Sequence, residues 1–287
     1  ILNFLVIFFF FYKKMDEEIL NYDYLFNKIK FNVSGIDFNN SLKFSEDLNI
    51  IEYLYFYNGG GVAVGDINND GLEDLYLSSN QGKDKLFINL GDFKFKDISN
   101  SAGLDTLNTW STGVSMADVN GDGWLDIHVS KVGNYKTLKG HNLMYINQKD
   151  GTFNELSEEL GIDFSGFSTQ AAFLDYDNDG DLDMYLLNHN IHTPRNYTDV
   201  SKRSEKDSLS GDKFFENKIN EQEAKFVDVS ESSGIFSSPL GYGLAITTAD
   251  VNNDGWVDLY VGNDFHENDY IYINQKNKSF KEKSKDF

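Results

Sequence analysis

One nine-residue pattern recurs four times in this chain, and it constrains the fold more than anything else in the sequence. Asp66–Asp74 reads DINNDGLED, Asp118–Asp126 reads DVNGDGWLD, Asp175–Asp183 reads DYDNDGDLD and Asp250–Asp258 reads DVNNDGWVD. All fit D-x-[DN]-x-D-G-x-x-D, and each sits in the same context. Small and apolar residues precede it (GGGVAVG, STGVSMA, STQAAFL, GYGLAITTA), and an alternating segment follows (LYLSS, IHVSK, MYLLN, LYVGN). A third segment comes next (KLFINL, NLMYIN, KFFEN, YIYIN). A fourth holds Phe95, Phe153, Phe226 or Phe280, two positions before Asp97, Glu155, Asp228 or Glu282. Three copies close on AGL, LGI or SGI, and the fourth reaches Phe287 one residue before that glycine.

Alternation with period two and abundant Tyr, Phe, Val and Ile are the marks of strands. Each unit therefore contains four short strands, with the acidic loop between the first and second. Repeats of about 40–50 residues carrying four strands are β-propeller blades. The expected fold is all-β, a propeller with blades at about 58–108, 109–164, 165–238 and 239–287. The small residues of each first strand suit the innermost position, where blades crowd around an axis. Helical periodicity is nowhere sustained, which disfavours an EF-hand array. An EF-hand also needs Glu at loop position twelve, where this chain has Leu77, Val129, Leu186 and Val261. Blade three is longer because residues 190–212 form a polar loop between its second and third strands. Residues 15–57 are a lead-in, within which IIEYLYFYNGGG reads as a strand running into blade one.

The residues of the loops set their chemistry. Oxygen ligands at alternate positions wrap one hard cation as the chain turns, with glycine at position six allowing the turn. Positions one, three, five and nine offer side chains and position seven a carbonyl. The predicted ligand sets are Asp66, Asn68, Asp70, Leu72 and Asp74; Asp118, Asn120, Asp122, Trp124 and Asp126; Asp175, Asp177, Asp179, Asp181 and Asp183; and Asp250, Asn252, Asp254, Trp256 and Asp258. Donors that are all oxygen favour Ca2+ over zinc or copper, and Mg2+ prefers to keep its waters. The expectation is about four Ca2+ sites. The third should be tightest, because it alone has four carboxylates at side-chain positions, with the side chain of Asp181 as surplus charge. The simpler reading is a set of acidic Asx turns.

Composition narrows the partners. A net charge of −21 argues against nucleic acid. The absence of cysteine excludes disulfides and thiolate chemistry, so bound ions would have to staple an exported fold. Residues 1–14, ILNFLVIFFFFYKK, are expected to be an export signal or the remnant of a hydrophobic anchor, since the apolar run is too short to span a bilayer. An anchor there would be the only membrane contact. The missing initiator Met and the end inside blade four lead to the expectation of a fragment with further blades.

The stretches FYNGGGVAVGDINNDGLEDLYLSSN, KLFINLGDFKFKDISNSAGL, TGVSMADVNGDGWLDIHVS and STQAAFLDYDNDGDLDMYLLNH resemble the FG-GAP/VCBS repeat family. These are calcium-binding propeller blades also found in integrin α-chains. Within that family the sequence is most similar to bacterial cartilage-acidic-protein-like (ASPIC/UnbV-associated) proteins. The resemblance runs from about residue 33 to the end, and it implies an exported or cell-surface propeller, usually of about seven blades.

Topology puts the four acidic loops on one face and the ends of the second strands on the other. There Asn188, His189, Asn263, Asp264 and His266 gather as candidate ligand-binding residues, near Arg195, Lys202 and Arg203 of the insert. The competing reading is that these ends cap turns. His189 and His192 form an H-x-x-H pair without a third zinc ligand. Three functions follow from different classes. The first is a secreted or surface, non-catalytic binding or adhesion module for glycans or surface proteins. The second is a lyase-like polysaccharide enzyme, although no spacing marks a catalytic set. The third is a structural spacer in a longer protein.

Overall fold

The computed structural model describes residues 26–104, 109–191, 200–221, 224–265 and 267–286. The expectations for residues 1–14, His192, Arg195 and His266 lie outside the described residues. Blade one contains β1 (Val62–Gly65), β2 (Asp74–Leu77), β3 (Lys85–Asn89) and β4 (Phe95–Asp97). Blade two contains β5 (Trp110–Ala117), β6 (Asp126–Val132), β7 (Leu143–Asn147) and β8 (Phe153–Glu155). Blade three contains β9 (Ser168–Leu174), β10 (Asp183–Asn188), β11 (Lys213–Asn217) and β12 (Phe226–Asp228). Blade four contains β13 (Gly243–Ala249), β14 (Asp258–Asn263), β15 (Tyr270–Asn274) and β16 (Phe280–Glu282). Each blade is one antiparallel sheet with its strands in chain order. The all-β architecture read from the repeats is the one observed. Among the described residues no helix is long and apolar enough to cross a membrane.

Apolar faces of successive sheets meet and form the core. Tyr76 and Leu86 of blade one share a cluster with Ile127, Val129 and Tyr145 of blade two. Met144 joins Met184, Leu186 and Phe215, and Tyr185 and Phe214 join Leu259, Val261 and Tyr272. The innermost strands β1, β5, β9 and β13 pack in that order. Their approach explains the small residues: a Cβ on Gly113 would lie 2.4 Å from the Thr169 carbonyl oxygen.

A side-chain bridge repeats at every junction between blades. At the end of the third strand, Asn147, Asn217 and Asn274 each donate Nδ2 to a carbonyl in the loop of the preceding blade. The acceptors are Ile67, Val119 and Tyr176, at 2.8, 2.8 and 2.7 Å. The same amides reach carbonyls of their own loops, at Leu125, Leu182 and Val257. Asn89 makes the equivalent bond within its own blade, to Glu73 at 2.9 Å.

The lead-in contains a structural copy that its sequence disguises. A short helix α1 (Phe31–Ser34) ends at Gly35 with φ 77°. Gly103, Gly161 and Gly234, which end blades one to three, have φ 78°, 73° and 79°. Each faces the backbone oxygen of the phenylalanine opening the next blade's fourth strand: Phe153, Phe226 and Phe280. Gly35 faces Phe95 in the same way. Residues 30–36 therefore cap blade one as each blade's tail caps its successor. The stretch expected as a strand, IIEYLYFYNGGG, instead forms successive turns, with Tyr53 N–H bonded to Asn49 and Phe56 N–H to Tyr53. Its buried Tyr53, Tyr55 and Phe56 cluster with Trp110, Val132 and Phe167. Packing of three aromatic rings overrides the β-propensity of the sequence.

Replacing Asn217 by Ala leaves the Val119 carbonyl without its donor and should lower unfolding stability by about 1–3 kcal/mol. Asn89→Ala, which severs no bond between blades, should cost less. Denaturant unfolding of the two variants measures the difference.

Candidate metal centres and the opposite face

Each acidic loop is held by its own carboxylates. At position one, the Oδ2 of Asp66, Asp118, Asp175 and Asp250 accepts the N–H of the position-six glycine at 2.8, 2.7, 3.1 and 2.8 Å. The Oδ1 of the same residues accepts the N–H of position five. At position three, the Oδ1 of Asn68, Asn120 and Asp177 accepts that same N–H, and Asn252 is exposed. At position five, the Oδ1 of Asp70, Asp122, Asp179 and Asp254 accepts the N–H of Leu72, Trp124, Asp181 and Trp256. Position four was not singled out in the sequence, although Asn69, Asn178 and Asn253 hold φ of 56°, 59° and 57° there, and Gly121 holds 69°. Only Gly and Asn adopt this left-handed backbone routinely. The signal was legible as Asn or Gly in all four copies.

Position nine behaves differently from the others. Asp74, Asp126, Asp183 and Asp258 are fully or almost fully buried. Their Oδ2 atoms accept the N–H of position two (Ile67, Val119, Tyr176 and Val251) at 3.0–3.2 Å. Their Oδ1 atoms accept the backbone N–H of Asn89, Asn147, Asn217 and Asn274 in the third strand. The residue expected only as a ligand is therefore also the anchor of its loop. A carboxylate oxygen has a second lone pair, so anchoring leaves it able to ligate. Burial pushes the Asp126 carboxyl up to about 7 and that of Asp183 to about 8, against the pull of these N–H donors.

Loop three concentrates the most charge. One ligand oxygen from each of Asp175, Asp177 and Asp183 lies within 4.8 Å of the other two. Asp181 Oδ1 is buried without a hydrogen-bond donor. Burial and the adjacent Asp179, Asp177 and Asp175 push this carboxyl up to about 6. Three clustered acids and an orphaned carboxylate oxygen, with donors that are all oxygen, fit a hard divalent cation. Asp181 itself stands outside the group of three, next to it along the loop. An ammonium already stands at the edge of the loop: Lys278 Nζ of blade four lies 2.6 Å from Asp177 Oδ2 and 2.5 Å from Glu216 Oε1. Asp177 and then Glu216 raise the Lys278 pKa. Lys149 and Lys276 stand 3.3 Å from Asp122 and Asp254, at position five of the loops in their own blades.

On the opposite face, Asn188 is buried, with its N–H on Asp212 Oδ1, its Nδ2 on the Gly211 carbonyl and its Oδ1 accepting from Ser168 Oγ. His189 is 2% exposed, its Nε2 3.0 Å from the Tyr53 hydroxyl and its Nδ1 3.1 Å from Thr169 Oγ1. Burial holds its pKa down at about 3, so the ring is neutral. Asn263 Oδ1 accepts the Tyr242 N–H, Nδ2 donates to the Asn268 carbonyl, and half-buried Asp264 accepts the N–H of Phe265. The capping reading describes Asn188 and Asn263 directly. A second repeated pair lies beneath these ends. The carboxylates of Asp84, Asp212 and Asp269 accept the hydroxyls of Tyr76, Tyr185 and Tyr260, and also a backbone N–H at the end of the second strand. In blade two, His128 and Asn142 occupy these places. His128 is fully buried, with neither ring nitrogen hydrogen-bonded.

Comparison with known proteins bears on the repeats themselves. Residues 66–129 and 133–186 match the model of the FG-GAP-like repeat. The chain therefore carries FG-GAP-like repeats, as its motifs indicated. It is also similar to cartilage acidic protein 1: 29% identical over 207 residues to that of Xenopus tropicalis, covering 71% of this chain and 28% of the relative. To the Homo sapiens protein it is 31% identical over 135 residues, covering 46% of this chain and 20% of the relative. The chain thus spans less than a third of the length of these relatives. Among solved structures, the V. cholerae biofilm matrix protein Bap1 aligns at 14% identity and TM-score 0.36, covering 77% of this chain and 30% of that one. That superposition is too loose to bear on fold or function.

Removing the competing ammonium should strengthen cation binding at loop three. For Lys278→Met we expect a several-fold gain in Ca2+ affinity at one site, because ligand charge and its neutralisation set affinity in such loops. Asp177→Asn should lower affinity at that same site, and calorimetric titration distinguishes the two directions.

Proposed function

We propose that this chain is an exported, calcium-stabilised β-propeller acting as a non-catalytic binding or adhesion module for glycans or surface proteins. The observation that carries the metal half of this reading is loop three, where Asp175, Asp177 and Asp183 converge and Asp181 Oδ1 has no donor. The repeated loop in the other blades extends the argument to four sites. Side chains at positions one, three, five and nine and the carbonyl at position seven would hold the ion, which supplies positive charge at the closed turn. Four ions at two charges each would offset eight of the 21 net negative charges. Because position nine also anchors the third strand, a bound ion would stiffen the bridge between blades.

The binding half rests on architecture: packed four-stranded blades, the acidic loops at one end of them and a long insert at the other, where loops carry function. Export is supported by the FG-GAP-like repeats, and a surface location fits a fold stapled by ions in a chain without cysteine. The non-catalytic reading is supported by His189, whose two ring nitrogens are both engaged with hydroxyls in a buried site. A base needs one free within reach of a substrate proton.

Thermal unfolding in Ca2+ and in chelator tests the metal assignment. Binding well above the dissociation constant stabilises the folded state; about 100-fold excess contributes about 2.7 kcal/mol per site. We expect a clear fall in Tm on chelation, reversed by Ca2+ and poorly by Mg2+. An unchanged Tm would remove calcium from the account. A glycan and surface-protein screen in Ca2+ tests the binding assignment separately.

A further inference from the structure

The four innermost strands line an open cavity of about 240 Å3 at the ends opposite the acidic loops. Val62 of β1, Thr112 of β5, Gln170 of β9 and Leu244 of β13 all line it, so it lies where the blades converge. The lead-in forms another wall with Tyr53 and Tyr55, and Gly59, Gly60 and Gly61 leave the rim without side chains.

Three properties define what this cavity can take. It is uncharged: no Lys, Arg, Asp or Glu lines it, in a chain of net charge −21, and the His189 ring is held neutral between Tyr53 and Thr169. It has an unmet hydrogen-bonding demand. The Tyr55 residue is only 5% exposed, and its hydroxyl is buried without a partner. A buried group left in that state costs about 1–3 kcal/mol, and native structures rarely tolerate it. It is also small, below the roughly 300–1,000 Å3 of sites for drug-sized ligands. Asn58 and Gln170 line it together with Tyr53 and Trp110, whose almost fully buried rings meet edge to face at 5.4 Å. Polar donors and acceptors beside an aromatic surface, without charge, suit a ring that carries hydroxyls on an apolar frame.

We propose that the cavity binds one neutral sugar unit of a glycan, with the Tyr55 hydroxyl as a direct hydrogen-bond partner. This rests on the binding-module reading and gives it a site and a ligand class. An ammonium ligand would lack a carboxylate among the lining residues, and an acidic sugar would lack a cation.

Methyl glycosides of neutral hexoses and N-acetylhexosamines, with glucuronate and glucosamine as charged comparators, are offered to the protein in Ca2+. Saturation-transfer NMR detects binding and calorimetry measures affinity. We expect at least one neutral glycoside to bind and the charged comparators to bind about tenfold more weakly. Tyr55→Phe, which keeps the ring and removes the hydroxyl, should weaken binding by about tenfold, while the Tm of the sugar-free protein holds or rises because the unpartnered hydroxyl is gone. Gln170→Ala, at the opposite wall, should also weaken it and serves if Tyr55→Phe alters the fold. Failure of every neutral glycoside to bind, a preference for a charged one, or full affinity in both variants would overturn the proposal. Glycan capture in the broader screen that both variants retain would remove the cavity while leaving the module reading intact. Capture of nothing would remove both.

Discussion

The ninth-position aspartate is the interaction on which the rest of the structure depends. One carboxylate, buried at the start of each second strand, holds the loop behind it through Oδ2 and the third strand beside it through Oδ1. The asparagine it fixes then reaches across to the previous blade, as Asn217 does to Val119. A chain of three bonds thus links the acidic loop, the sheet and the neighbouring sheet. Burying that carboxylate is costly, and the raised pKa values of Asp126 and Asp183 register the cost. Two backbone N–H donors offset part of it, and a cation in the loop would offset more. Loop chemistry and blade packing are consequently one problem rather than two.

Much of this was legible in the sequence. Period-two alternation and the four-fold motif placed the sixteen strands of the described residues within their units, since side-chain period and turn glycine are local properties. Other features depend on contacts that local patterns do not encode. IIEYLYFYNGGG has strand composition, but its aromatic residues find a cluster around Trp110 and the backbone turns to deliver them. Residues 30–36 escaped notice as a blade tail because only the left-handed glycine and its position over Phe95 identify it. The strand-three asparagines were visible in the quoted segments, yet their bond to the preceding blade is a tertiary fact. Asn188 and His189 looked available as polar strand ends, whereas the structure buries both among hydrogen-bond partners.

The two ends of the blades divide the chemistry. One concentrates carboxylates beyond what lysines neutralise: Lys278 meets Asp177, but Asp181 Oδ1 has no donor. The other gathers an uncharged cavity where the innermost strands converge. The insert of blade three is tied down on this side by Arg203 and Glu267, 2.5 Å apart, which joins it to blade four.

The central claim is that cation binding in the loops and cohesion between blades are a single coupled event. Amide hydrogen exchange measures it most directly, through the N–H groups that position nine holds: Ile67, Val119, Tyr176 and Val251 in the loops, and Asn147, Asn217 and Asn274 in the third strands. The account predicts that Ca2+ slows exchange at both sets together, and that chelation releases both. Protection confined to the loops, with third-strand amides exchanging equally in Ca2+ and in chelator, would contradict it.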